Sequence, residues 1–135
     1  MATLTIAVLT LNEAKRIGAC LSSAQFADQL LVIDGGSSDG TADLARELGA
    51  EVHVYADWQG FAAQRNRQIA HARGDFILFL DADEEITPEL RTELRGVVAR
   101  NEAAVWSVGW TQVAFGRTLH RVWGFEYCGG TRTVD

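Results

Sequence analysis

The sequence predicts an α/β fold, a doubly wound and mostly parallel sheet with helices on both faces, and three observations carry that expectation. Short β-prone apolar runs alternate with stretches of helical spacing through four strands. The most apolar run, Phe76 to Leu80, is five residues long, too short for a buried helix, which predicts a strand covered on both faces. Polar residues follow three of the strands, and ligands of such sheets sit beyond the strands' carboxyl ends.

In chain order, residues 3 to 11 read as the first strand, and Ile17, Cys20, Leu21 and Ala24 then fall at helical spacing. Leu30 to Ile33 is the second strand. It runs into Asp34-Gly35-Gly36-Ser37-Ser38-Asp39-Gly40-Thr41, a turn in which Ser37 and Asp39 are expected to cap the next helix. That helix should turn Leu44, Ala45 and Leu48 inward and stop at Gly49. Val52 to Tyr55 is the third strand, Phe61 to Arg73 the third helix, and Phe76 to Leu80 the fourth strand. Thr87-Pro88-Glu89 then opens a helix with Leu90, Leu94, Val97 and Val98 as its apolar stripe. Residues 103 to 115 look like further strand, whereas Gly116 to Asp135 shows no clear periodicity. The chain reads as one domain over 1–135.

A formal net charge of −6 argues against nucleic acid as a partner, since backbone binding needs a basic surface. Cys20 and Cys128 form no metal-type spacing or disulfide framework. The apolar start lacks a basic leader, and no stretch reaches membrane-spanning length, so a cytoplasmic location is expected. The loop after the first strand has no glycine, so a Rossmann dinucleotide site is not indicated. A P-loop and a nucleophile elbow are also missing.

Asp81 and Asp83 stand at the end of the fourth strand. In extended chain, residues two apart point the same way, which would converge the two carboxylates and invite Mg²⁺ or Mn²⁺ with a phosphate. Glu84 and Glu85 add to the repulsion that a cation would relieve. An acidic, solvated loop before a helix is the other reading of that motif.

Four blocks of sequence resemble the family 2 glycosyltransferases of the GT-A fold, closest to the bacterial lipopolysaccharide core transferases. They are TLNEAKRI, VIDGGSSDGT, GFAAQRNRQIAHARGDFILFLDADEEITPEL and, more weakly, VAFGRTLHRVWG, in the family's order and over about residues 3 to 124. The resemblance implies an inverting transfer of sugar from a nucleoside diphosphate sugar to a glycan or lipid-linked acceptor. It places Thr10, Asn12 and Glu13 around the nucleobase, Asp34 on base or ribose, Arg65 and Asn66 near ribose and diphosphate, Asp81 on ribose or sugar, and Asp83 on the metal. A lipid-linked acceptor would bring the chain to the inner face of the plasma membrane.

On the same resemblance, residues 1–100 are the donor-binding part and 101–135 an incomplete acceptor part. The tail FEYCGGTRTVD departs from the family's arginine-rich continuation, which leaves open a truncated chain, a frameshifted gene or a shortened relative. No residue here matches a catalytic base. Half of the aromatic residues, Trp106, Trp110, Phe115, Trp123, Phe125 and Tyr127, fall in this last part, where they would stack on acceptor sugars or drive self-association. A nucleotide-sugar-binding module without transferase activity is the alternative function, and an unrelated Mg²⁺ phosphotransfer enzyme a third.

Overall fold

The computed structural model describes residues 1–108, 112–114, 117–119 and 132–134. They divide into two units, Met1–Thr87 and Pro88–Asp135. The first unit holds strands β1 (Leu4–Thr10), β2 (Gln29–Asp34), β3 (Glu51–Val54) and β4 (Phe76–Asp81) and helices α1 (Ile17–Ser23), α2 (Thr41–Glu47) and α3 (Phe61–His71). All three strand pairings are parallel, in the order β3-β2-β1-β4.

This order determines where the helices lie. The chain steps outward from β1 to β2 to β3, then returns across the sheet to β4 on the far side of β1. Right-handed crossovers therefore put α1 and α2 on one face and α3 on the other, the doubly wound arrangement. Packing agrees: α1 lies against α2, while α3 lies against β1 and β2. On the α3 face Ala7, Leu31 and Ile33 are fully buried beneath Leu9, Tyr55, Ala72 and Ile77. Ile6, Val8 and Val32 alternate to the opposite face, and Ile17, Cys20, Leu21, Ala24 and Ala45 are buried with them.

Two expectations are corrected. The most apolar run is not the best covered one. Among the described residues β4 stands at the edge of the four-stranded sheet with β1 as its strand neighbour, Phe79 remains 39% exposed, and Leu80 alone in the strand is buried. The inner strands are the covered ones, β2 at every position and β1 at all but one. In α2 the inward positions belong to Thr41 and Ala45, one turn apart, whereas Leu44 is exposed and Leu48 half-buried.

The amino ends of the strands are closed by a polar clamp. Gln29 is buried, and its Oε1 accepts from Thr5 Oγ1 and from Arg73 N–H, both at 2.7 Å. Its Nε2 donates to Glu51 Oε2 and to the His71 carbonyl. Gly74 leads into β4 and donates its N–H to Thr5 Oγ1 at 2.9 Å. A Cβ at Gly74 would stand 2.6 Å from the Thr5 nitrogen, so only glycine fits.

In the second unit, α4 (Pro88–Arg100) begins at its proline, and Leu94 and Val97 are buried while Leu90 and Val98 are half-buried. Short strands follow: β5 (Trp106–Val108), β6 (Gln112–Ala114), β7 (Arg117–Leu119) and β8 (Arg132–Val134). β5 pairs parallel with β8, and β6 antiparallel with β7. Two of these fall in the 103–115 stretch expected to be strand. The other two lie where no periodicity was evident, because three residues are too few to show one. The aromatic positions Trp110, Phe115, Trp123, Phe125 and Tyr127, like Cys128, lie outside the described residues.

Candidate functional site

The sheet's direction of winding reverses between β1 and β4, and a crevice opens there at their carboxyl ends, the place where such sheets hold ligands. The crevice has a volume of about 760 Å³. One wall comes from the end of β1 and its loop, with Thr10, Leu11 and Glu13; another from the end of β4, with Asp81, Ala82 and Asp83. Trp58, Phe61, Gln64 and Arg65 form the third, at the start of α3.

The acids converge by a different route from the one the sequence suggested. β4 ends at Asp81, and the chain then turns, with Glu84 N–H donating to the Asp81 carbonyl at 2.9 Å. A turn rather than strand alternation thus gathers Asp81, Asp83 and also Glu84, each with a carboxylate oxygen within 4.8 Å of the others. Glu84 shows the strain of this crowding: burial first, then the charge of Asp81, pushes its carboxyl above the ordinary range. Three hard oxygen donors this close fit a divalent cation of the Mg²⁺ or Mn²⁺ type. Glu84 was treated in the sequence as added repulsion, and only the turn geometry makes it a third donor.

Behind the cluster, Cys20 donates its S–H to the Asp81 carbonyl at 3.5 Å. Burial, followed by the charges of Glu84, Asp83, Glu85 and Asp81, pushes that thiol up to about 12, so it stays neutral and serves as packing. Ser23 Oγ accepts from Ile86 N–H at 2.9 Å and ties the acidic loop to α1.

The β2 end is built in the opposite way. Asp34 is 1% exposed and accepts four hydrogen bonds. Its Oδ1 takes Thr10 Oγ1 and Ser37 Oγ, each at 2.6 Å, and its Oδ2 takes the N–H groups of Gly36 and Ser37 at 3.0 and 2.8 Å. Burial opposes ionisation of Asp34, but the donors of Ser37, Thr10 and Gly36 outweigh it and hold the carboxyl below its ordinary value.

The two loops are further stitched together. Asn12, in the left-handed region at φ 53°, donates its N–H to Ser37 Oγ and accepts from Ser38 N–H, while Glu13 N–H donates to Thr41 Oγ1. Asp39 accepts from Ala14 N–H, from Thr41 N–H and from the Thr41 hydroxyl. Ser37 and Asp39 were expected to cap α2. The cap position itself is Gly40 and carries no side-chain bond, but Asp39 Oδ1 does take the first N–H of the helix, that of Thr41, at 3.1 Å. Both residues also join the β1 loop to the β2 loop, and for Ser37 that is the role observed in place of capping.

Of the eight residues singled out from sequence, the crevice brings together Thr10, Glu13, Arg65, Asp81 and Asp83. Asn12 and Asp34 belong to the loop lattice beside it. Asn66 is exposed on α3 and does not line it. Arg65 is held with its guanidinium 4.5 Å from the centre of the Phe79 ring and donates to Gln68 Oε1 at 3.1 Å. The sequence reading missed the exposed pair Trp58 and Phe61, packed edge to face at 5.0 Å, and missed Arg16, whose Nη1 lies 3.8 Å from Asp83 Oδ2. The apolar exposure of the pair has no signature in periodicity, and Arg16 reads as an ordinary helix-start residue.

A switch-point crevice with a carboxylate cluster on one wall and a fixed guanidinium on another has the donors to hold a divalent cation and an anionic group side by side. The chain belongs to glycosyl transferase family 2, whose sequence model matches residues 5–129. Among relatives, a TPR repeat-containing protein from Synechococcus elongatus is 42% identical over 80% of this chain and 27% of its own length. The lipopolysaccharide core biosynthesis glycosyltransferase LpsC from Rhizobium meliloti is 29% identical over 76% of this chain and 38% of its own.

Among solved structures, mannosyl-3-phosphoglycerate synthase from Rubrobacter xylanophilus aligns with a TM-score of 0.66 at 28% identity, covering 80% of this chain and 40% of that one. Glucosyl-3-phosphoglycerate synthase from Mycobacterium tuberculosis, in complex with Mn²⁺, UDP and glucosyl-3-phosphoglycerate, shares the fold, with a TM-score of 0.63 at 23% identity over 79% of this chain and 44% of its own. The chain thus spans roughly a quarter to two fifths of the length of these curated relatives.

Proposed function

We propose that this chain is the sugar-nucleotide-binding portion of an inverting, metal-dependent glycosyltransferase, with residues 1–100 the donor-binding part and 101–135 part of the acceptor side. The observation that carries the reading is the gathering of Asp81, Asp83 and Glu84 beside the β1 end. Membership of family 2 supports it, as does the Mn²⁺ and UDP complex of a protein of the same fold. Asp83 is the principal metal ligand, with Asp81 and Glu84 beside it.

A divalent cation at these acids supplies Lewis-acid stabilisation of the negative charge that grows on the leaving diphosphate. Arg65, held on Phe79, adds a fixed positive charge on the facing wall. Thr10 and Glu13 line the nucleoside side, where Asp34 and Asn12 hold the loops at a set separation. The acceptor is a glycan or lipid-linked intermediate of the cell envelope, a reading supported by the name of LpsC. With a lipid-linked acceptor the protein works in the cytoplasm against the inner membrane face. Among the described residues no helix is long and apolar enough to cross a membrane.

Titration calorimetry with UDP-, GDP-, ADP- and CMP-linked sugars tests the donor site. One of them should bind in Mn²⁺ and lose its affinity in chelator; equal binding in both removes the metal role. Donor turnover with a lipopolysaccharide-core acceptor then separates a transferase from a module that only binds.

A further inference from the structure

Resting on the donor-site reading above, we propose that Arg16 is a positioning residue with two partners in turn: the acidic cluster while the metal is away, and the donor's diphosphate once the metal is bound. Arg16 ends the β1 loop, where its N–H donates to the Glu13 carbonyl at 3.0 Å and starts α1. Its side chain reaches one carboxylate from each of two crevice walls. Nε lies 3.5 Å from Glu13 Oε2, and Nη1 lies 3.8 Å from Asp83 Oδ2. Glu13 Oε2 is buried and accepts no hydrogen bond among the described residues, so the guanidinium is its electrostatic partner.

The contact to Asp83 is loose and water-facing, with the two side chains 62% and 56% exposed, so it breaks at little cost. A divalent cation taking Asp83 repels a guanidinium so close to the same oxygen. Displaced from Asp83 but still anchored near Glu13, the planar fork is left at the crevice mouth, where its geometry suits two phosphate oxygens.

The sign of two effects distinguishes this role from a merely structural one. Removing the Arg16 charge should strengthen binding of the metal alone and weaken binding of the diphosphate. The experiment measures Mn²⁺ affinity of the ligand-free protein by electron paramagnetic resonance. It then measures affinity for inorganic pyrophosphate at saturating Mn²⁺, for wild type, Arg16→Gln and Arg16→Lys.

Arg16→Gln should bind Mn²⁺ about threefold to tenfold more tightly, the scale of one unit charge a few ångströms away in water. Its pyrophosphate affinity should drop about tenfold, the lower end for a charge-assisted contact. Arg16→Lys should keep wild-type Mn²⁺ affinity and recover part of the pyrophosphate binding. Mn²⁺ affinity that is unchanged or weaker in Arg16→Gln, or pyrophosphate affinity that does not fall, overturns the role of Arg16 alone. A wild-type protein that binds no Mn²⁺ overturns the donor-site reading and this inference together.

Discussion

Strands β2 and β4 both end in an aspartate at the carboxyl edge of one sheet, and the two have opposite surroundings. Asp34 is buried among four donors, and its ionised form is stabilised. Asp81 is exposed, its neighbours Asp83 and Glu84 are also acids, and its backbone N–H lies 3.5 Å from a Glu84 oxygen, at the limit of a hydrogen bond. Among the described residues one end is complete within the chain, whereas at the other the three acids face one cation, Arg16, at 3.8 Å from Asp83. The difference teaches that a strand-end carboxylate is read by what donates to it: a saturated one organises loops, and an unsaturated cluster keeps its oxygens available to a cation.

The sharpest way to break the contrast is Asp34→Ala. It strands the hydroxyls of Thr10 and Ser37 and the N–H groups of Gly36 and Ser37, and it should cost about 3 kcal/mol in urea unfolding. A loss below about 1 kcal/mol would show that water replaces the carboxylate. Asp83→Asn should act in the other direction on stability, raising it by roughly 0–0.5 kcal/mol through relief of like-charge repulsion. The same change should weaken donor binding by about 1.5–3 kcal/mol in calorimetry.

Acid should also tell the two ends apart. The Asp34 carboxyl is held below its ordinary 3.8, so its contribution is fully present above that value and is lost as pH falls through the lower, folded-state value. Between pH 5 and pH 2.5 the wild type should therefore lose more stability than Asp34→Asn, followed by urea midpoints. Parallel curves would mean that Asp34 is not preferentially ionised in the folded chain.

The smallest effect concerns the stitching itself. Ser37→Ala removes a donor to Asp34 and an acceptor for Asn12 N–H and should cost about 1 kcal/mol. Combined with Asn12→Ala, the loss should be smaller than the sum of the two, since the residues share one lattice. Strict additivity would show that the loops are held independently.

The winding of the sheet was legible because apolar runs and helical spacing alternate, and because three of the four runs are followed by polar residues at the correct end. β1, β2, α3 and the start of α4 lie where those signals place them. Coverage was less legible: Phe76 to Leu80 has the composition of a central strand, but edge or centre is decided by pairing with residues about seventy positions away. At the site, Asp81 and Asp83 stood out as a motif. Glu84 joined them only through the turn at 81–84, and the saturation of Asp34 depends on Thr10, brought beside it by strand register. Local sequence records which groups are present, and register decides which of them remain unsatisfied.

Because β1 lies between β2 and β4, the hydrogen bond between Thr3 and Asp75 joins residues 72 positions apart. On a ribosome adding roughly 5–20 residues per second, β1 waits about 4–14 s for that partner. Throughout the wait it presents an apolar strand with one open edge, the form most prone to pair with a neighbouring chain. The crevice needs β4 as well as β1, so no ligand of the crevice can help the nascent chain during this interval. Early protection must come from α1, α2 and β2, which are made first and already cover one face and one edge of β1.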